Sequence, residues 1–352
     1  MKEILSLAYY LPQFHEVPEN DKWWGKGFTE WSNLRDSIKY SSWHEIRKPT
    51  APYGEYNLLN PEIMSWQYDL AKSYGISGFL VWDYWFGNGE RLLEKPSELI
   101  LNNKIEFKYS FCWANHSWLN KRTGEMLKEQ KYLGTADYEE YFYKNLPHFK
   151  SNNYIKIDGK PVFGVFLPHD IPDLENFVNV FRRLAIAEGF PGIYLIAESS
   201  TEKSLKFFDR FLNSNASFKL RKTVNPFQYL REVAIKQLNM NWVGPVVYDY
   251  EKTILKHTEK PLSREEIPVL FTGWDTTPRH KRRGTICRGF NPSTFKNQIK
   301  NILEQLEKQN SSNPIVIVKS WNEWAEGNLL EPDNVFGHEM LEVYKSSFQK
   351  KP

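Results

Sequence analysis

Seven short apolar runs, each closed by a cluster of polar and aromatic residues, set the strongest limit on what this chain can fold into. They lie at residues 4–11, 78–82, 109–113, 161–166, 192–196, 268–272 and 314–318. They are uninterrupted rather than alternating, which is how strands buried on both faces of a parallel sheet read. Helix signals separate them. Asn60-Pro61-Glu62 supplies a cap, a first-position proline and a first-turn acid, and Tyr74-Gly75 supplies the stop. Further helices are expected over 91–102, 137–150, 174–188 and 292–308, with a last one running toward the C-terminus. The sixth unit is the least regular: 205–213 reads as helix, 218–222 has no clean period, and 245–248 reads as a short strand. The stretch 251–266 reads as a surface connection. Eight strand–helix units predict an α/β fold, a single (β/α)8 TIM barrel over residues 1–352 with a long loop after strand one.

Composition narrows the function classes. Of the 352 residues 41% are hydrophobic, enough for a large core, and a net charge of +3 does not call for nucleic acid. No run approaches the length of a membrane span, and the first residues read as a strand rather than a leader, so the cytoplasm is the expected location. Two cysteines, Cys112 and Cys287, allow one disulfide at most and fit a reducing compartment. Oligomeric state is left open. Thirteen tryptophans suggest a ligand cleft as well as a core.

The last strand runs into Trp321-Asn322-Glu323-Trp324-Ala325-Glu326-Gly327. Two carboxylates three positions apart share a side if the chain turns helically there, and such neighbours cannot both ionise easily. Paired acids beside indoles are what making or breaking a glycosidic bond requires; the plain alternative is two solvated acids or ion pairs. In a barrel the strand C-termini form one face, and the site sits on it. Besides the candidate catalytic pair Glu323 and Glu326, the expected substrate-binding residues are Tyr10, Glu30, Trp31, Asp83, Tyr84, Trp85, Asn115, His116, Trp118, Trp274, Asp275, Arg279 and Asn322. For the aromatics the alternative is core packing, for Asn115 and Asp275 a helix cap, and for Glu30 bracing of its loop. The basic run Arg279-His280-Lys281-Arg282-Arg283 could grip a phosphate or be a solvated face. No metal is expected, because His15, His116 and His169 lack ligand spacing. No cofactor is expected, since Gly-rich dinucleotide and Walker loops are missing. An Asp-x-Asp motif is also missing, which speaks against a metal-dependent nucleotide-sugar transferase.

Gly27-Phe28-Thr29-Glu30-Trp31, Asp83-Tyr84-Trp85-Phe86-Gly87 with Arg91–Pro96, Cys112-Trp113-Ala114-Asn115, Gly273-Trp274-Asp275-Thr276-Thr277-Pro278 and residues 321–332 resemble the WbsX family. That family is bacterial, tied to O-antigen and capsule gene clusters and described as glycosyltransferases. It is similar to glycoside hydrolase family 99, endo-acting α-mannosidases of barrel fold. The resemblance implies a glycan or lipid-linked oligosaccharide substrate and a retaining reaction. It makes Glu323 the base that takes the 2-hydroxyl proton, so that this oxygen forms a 1,2-anhydro sugar. Glu326 becomes the acid on the leaving oxygen, a role that asks for a raised pKa on Glu326 and an ionised Glu323. Transfer during O-antigen or capsule assembly is the alternative outcome of the same site. Departures from the family pattern at Asp83 and His116-Ser117 keep a non-catalytic glycan-binding barrel as a third reading.

Overall fold

A computed structural model describes residues 3–103, 105–120, 123–198, 205–212, 221–238 and 240–348. Its centre is one curled parallel sheet. The strands are β1 (Leu5–Tyr10), β2 (Gly78–Trp85), β3 (Tyr109–Trp113), β4 (Lys160–Val165), β5 (Tyr194–Ala197), β6 (Arg210–Phe211), β7 (Val269–Phe271) and β8 (Ile315–Lys319). Neighbours in sequence are neighbours in the sheet from β1 to β6, and β7 pairs with β8, which returns to β1. Among the described residues β6 meets the segment before β7 at a single parallel bridge, Phe211 with Glu266. The hydrogen bond from Ile267 N to Phe211 O, 2.7 Å, reinforces it. The regular ladder is therefore that of a half-barrel drawn nearly shut, not the full eightfold ring expected from the pattern.

Helices α1 (Pro61–Ser73), α2 (Lys95–Asn102), α3 (Thr135–Lys150), α4 (Leu174–Ala187) and α5 (Pro292–Gln309) connect the strands, and α6 (Glu339–Phe348) follows the last. Their starts follow local chemistry: the Asn60 side chain accepts from Glu62 N, and that of Asn291 from Ser293 N and Thr294 N. Beneath them one aromatic-rich core fills the space around the sheet.

Three expectations change. Residues 206–212 do not form the expected helix; Arg210–Phe211 takes the sixth place in the sheet. The run at 245–248 instead gives Val246–Asp249, which pairs in parallel with Thr285–Arg288 in a separate two-stranded sheet. That small sheet has its own core of Ile235, Val246, Tyr248, Tyr250, Ile254, Phe271 and Cys287, which is why an apolar run there did not need the barrel. Arg91–Leu92 is a strand against the end of β2, and the helix begins only at Lys95. Cys112 and Cys287 are both buried free thiols. Residues 213–220 lie outside the described residues.

Candidate active site

The turn after β8 is held from every side. Trp321 N donates to Tyr9 O at 2.7 Å. The Asn322 amide clamps Leu11, accepting from its N at 2.8 Å and donating to its O at 3.1 Å. Asn322–Glu323 then pairs antiparallel with Asn328–Leu329, and the loop between them is a single 3-10 turn, Trp324–Glu326. Glu323 caps the start of the turn and Glu326 ends it, and both reach the Arg279 guanidinium, so the two acids project to one side. The turn closes with Gly327 in the left-handed region, φ 56°. A β-carbon on Gly327 would stand 2.8 Å from that of Asp275, and one on Gly273 (φ 107°) would stand 2.7 Å from Gly327 O. Asp275 N also donates to Glu326 O at 2.7 Å, so the loop after β7 and the turn after β8 are built as one piece.

That piece carries Arg279. Asp275 accepts from Thr277 N at 2.9 Å and from its hydroxyl at 2.7 Å, starting the short helix Thr277–His280, and His44 Nε2 lies 2.7 Å from its other oxygen. From this helix the Arg279 guanidinium reaches three carboxylates: Glu326, Glu30 at 3.2 Å and Glu323 at 3.6 Å. Burial alone would weaken its charge, but Glu30, Glu326 and Glu323 together raise its pKa. Glu323 is pushed up to about 7, first by burial and then by Glu326, with Arg279 pulling the other way. The Trp82 indole donates to Glu323 Oε1 at 3.2 Å, and its ring stacks on Tyr9 at 4.4 Å. Burial and then Glu323 raise the Tyr84 hydroxyl, which places Tyr84 within the field of the same acid. Deeper in, Glu198 accepts from Tyr9 at 2.6 Å and pairs with Lys319 at 3.2 Å.

Strand parity sorts the remaining expected residues, since successive side chains face opposite sides. On β2, Trp82 and Tyr84 face the acids, whereas Asp83 and Trp85 face the helices. Asp83 pairs with Arg91 at 2.8 Å and accepts from Tyr141 at 2.7 Å; Trp85 stacks on Tyr141 at 5.0 Å and donates to Asp137. Tyr10 faces outward too, donating to Gln67 at 2.6 Å, while Tyr9 faces in. Trp31 is buried on Phe14 and Tyr56 and packs 5.8 Å from Trp324, so it supports the turn from behind. Asn115 is buried and clamps Leu167 through both backbone groups. Asp83, Trp85, Tyr10, Trp31, Asn115 and Asn322 are thus each engaged by protein groups. Trp118 stays at the rim, edge-on to Tyr84 at 5.2 Å and to Trp23 at 5.7 Å. His116 lies 5.5 Å from Phe166, whose ring is 5.4 Å from Trp82. Trp274 is half-buried against the small second core.

The sequence profile of the family described as Glycosyltransferase WbsX matches residues 6–344. The chain belongs to the WbsX family. Two curated relatives, each described as uncharacterized protein WxcX, come from Xanthomonas campestris pv. campestris strains B100 and ATCC 33913. Each is 29% identical over 98% of this chain and 50% of its own length. The chain thus spans about half the length of the curated relatives it matches. Among solved structures it is similar to a glycoside hydrolase-like protein (TM-score 0.61, 15% identity, 100% of this chain and 95% of that one). It is also similar to the GH99 endo-alpha-mannosidase from Bacteroides thetaiotaomicron (TM-score 0.55, 15% identity, 98% and 97%). At such identity the likeness concerns the fold.

In this WbsX chain the basic run is largely used internally. Lys281 donates to Asp36 O and Pro278 O, Arg282 to Gly244 O, and Arg283 to Asn241. Tyr9, Trp82 and Lys319 lie near the acid pair and were not singled out by sequence reasoning. All three sit within a strand, where the period of two would have selected them.

Proposed function

We propose that residues 1–352 of this WbsX chain form one domain of eight strand–helix units that acts on glycosidic bonds of bacterial polysaccharide with retention of configuration. The observation that carries this reading is the Glu323/Glu326 pair, both acids on the Arg279 guanidinium and flanked by Trp82 and Tyr84. Glu323 removes the proton of the sugar's 2-hydroxyl, and that oxygen attacks the anomeric carbon as the glycosidic bond breaks. A carboxylate pushed up to about 7 is a better base for a hydroxyl than an ordinary one, and it is still ionised at neutral pH in a useful fraction. The raised group is thus the base, where the family-based assignment asks for a raised acid. Glu326 gives its proton to the leaving oxygen. Since Arg279 donates to Glu326 in the free chain, the glycan has to open that bond on binding, leaving Arg279 on Glu30 and Glu323. Water then adds to C1 of the 1,2-anhydro sugar, giving its proton to Glu326, while the C1–O2 bond breaks and Glu323 returns its proton to O2. Hydrolysis of an α-mannan oligosaccharide by the wild type, followed by NMR of the first-formed anomer, tests this. Retained configuration with near-complete loss of turnover in both Glu323→Gln and Glu326→Gln supports it; an inverted product or full activity in either variant overturns it.

A second reading rests on the family's description as a glycosyltransferase. The same two acids serve, with a sugar hydroxyl in place of water and a lipid-linked glycan in the cytoplasm as partner. Linkage analysis of products made with an acceptor present separates the two.

A further inference from the structure

We propose that the helix Pro226–Gln237 and the turn after it form a docking face for an anionic lipid bilayer, beside the candidate active site. Phe227, Leu230, Leu238 and Trp242 are 69%, 65%, 67% and 72% exposed, the four most exposed large hydrophobic side chains among the described residues. They fall within sixteen consecutive positions. At 100° per residue, Phe227, Leu230 and Leu238 lie within one 80° stripe, while Glu232 and Ile235 on the other side are buried. A water-soluble helix normally turns its apolar stripe inward, so this one is presented the wrong way round for a monomer in water. The Arg231 side chain donates to Val243 O, which ties the Trp242 turn to the same helix.

Charge selects the occupant. Residues 221–243 carry Arg221, Lys222, Arg231 and Lys236 and one acid, Glu232, which is buried against Arg221, Lys236 and Tyr248. The run 279–290 adds Lys281, Arg282, Arg283 and Arg288 with no acid, and Arg282 donates to Trp242 O and Gly244 O. Lys222, Lys236, Arg282 and Arg288 are exposed. An apolar stripe with an indole, rimmed by cations, fits the interface of a membrane rich in acidic headgroups. No helix among the described residues is long and apolar enough to cross a membrane, so this attachment is peripheral. The face belongs to the insertion after β6, and the same short segment that carries Arg279 to the acid pair carries Arg282 to this face. The attachment therefore sets the glycan site close to the lipid surface. The inference does not depend on the reaction assigned to the acids.

Flotation of the purified full chain with two kinds of vesicle tests it: phosphatidylcholine alone, and phosphatidylcholine with one third phosphatidylglycerol. The expected result is binding to the acidic vesicles at least tenfold tighter than to neutral ones, falling in high salt. Binding should drop at least tenfold in Phe227→Ser/Leu230→Ser/Trp242→Ser and in Lys222→Glu/Arg288→Glu. Circular dichroism checks that both variants stay folded; all the replaced side chains are exposed. No preference for acidic vesicles, or binding that both variants leave intact, overturns the proposal. So does a wild type that sediments as a dimer which the serine variant dissociates, for then a second copy covers the face.

Discussion

The Trp82 indole donates to Glu323 Oε1 at 3.2 Å while its ring lies nearly parallel to Tyr9, 9° between planes, so one side chain both fixes and tunes the acid. A hydrogen bond to a charged group contributes about 1.5–3 kcal/mol. Trp82→Phe keeps the stacking surface and deletes the donor. The base should then ionise about one unit higher. The rising limb of kcat/KM against pH is expected to move up by that amount, with roughly fivefold lower activity at neutral pH and an unchanged circular dichroism spectrum. An unmoved limb would remove Trp82 from the site.

Arg279 works in the same direction on Glu323 but reaches three carboxylates. Arg279→Ala takes away the charge that holds Glu323 down. Its pKa rises further, by roughly one unit or more. The limb moves to higher pH, and at neutral pH less of the base is ionised. Arg279→Lys should restore the charge in part but not the fork that reaches Glu30 and Glu326 together. A pH–rate series over the three proteins reads the order directly: wild type lowest, lysine intermediate, alanine highest.

Glu331 bears on stability rather than chemistry. It is buried, accepts from Tyr56 at 2.8 Å, Gln67 at 2.9 Å and Trp324 at 3.1 Å, and burial pushes it from 4.5 to about 7. The folded state therefore binds this proton more tightly than the unfolded one. The resulting stability is fully present below pH 4.5 and is lost as pH rises through about 7. The difference is about 3 kcal/mol. Glu331→Gln should flatten the stability–pH curve between those limits and stabilise the protein above pH 7. Urea unfolding at several pH values measures it.

Asp83 separates a supporting role from a binding one. It neutralises the buried Arg91 guanidinium, which also donates to Asn145 at 3.0 Å. Asp83→Asn leaves that cation unpaired and should destabilise the chain by about 3–5 kcal/mol. The KM of the enzyme that remains folded should not change. A raised KM at full stability would return Asp83 to the cleft.

Much of the fold was legible because buried parallel strands announce themselves as continuous apolar runs. Where a run was shortest the signal failed: Arg210–Phe211 is two residues long, begins with a cation, and earns its place only through pairing with β5 and the bridge to Glu266. The more apolar Val246–Asp249 belongs to a separate small sheet, and no local pattern distinguishes those two burials. At the site, residues that follow a strand were chosen by proximity to its end. Glu323, Glu326 and Arg279 sit on turns and converge, whereas proximity to the strand end does not sort the residues of β2. There the strand runs on through Trp85, and alternation puts Trp82 and Tyr84 on one side and Asp83 and Trp85 on the other. Asn115, Asp275 and Asn322 have the same amide or carboxylate chemistry whether they bind a sugar or a neighbouring backbone. In the folded chain their partners are Leu167, Thr277 and Leu11, which no local pattern announces.

The contact between Gly273, Asp275 and Gly327 has a consequence for engineering and for divergence. Neither position tolerates a β-carbon without moving the other loop. Chimeras that transplant the segment around Glu326 from a relative while keeping the host's segment around Arg279 should misfold or lose their geometry, whereas joint exchange of both should succeed. Lineages of this architecture are therefore constrained to vary the two segments as a single heritable cassette.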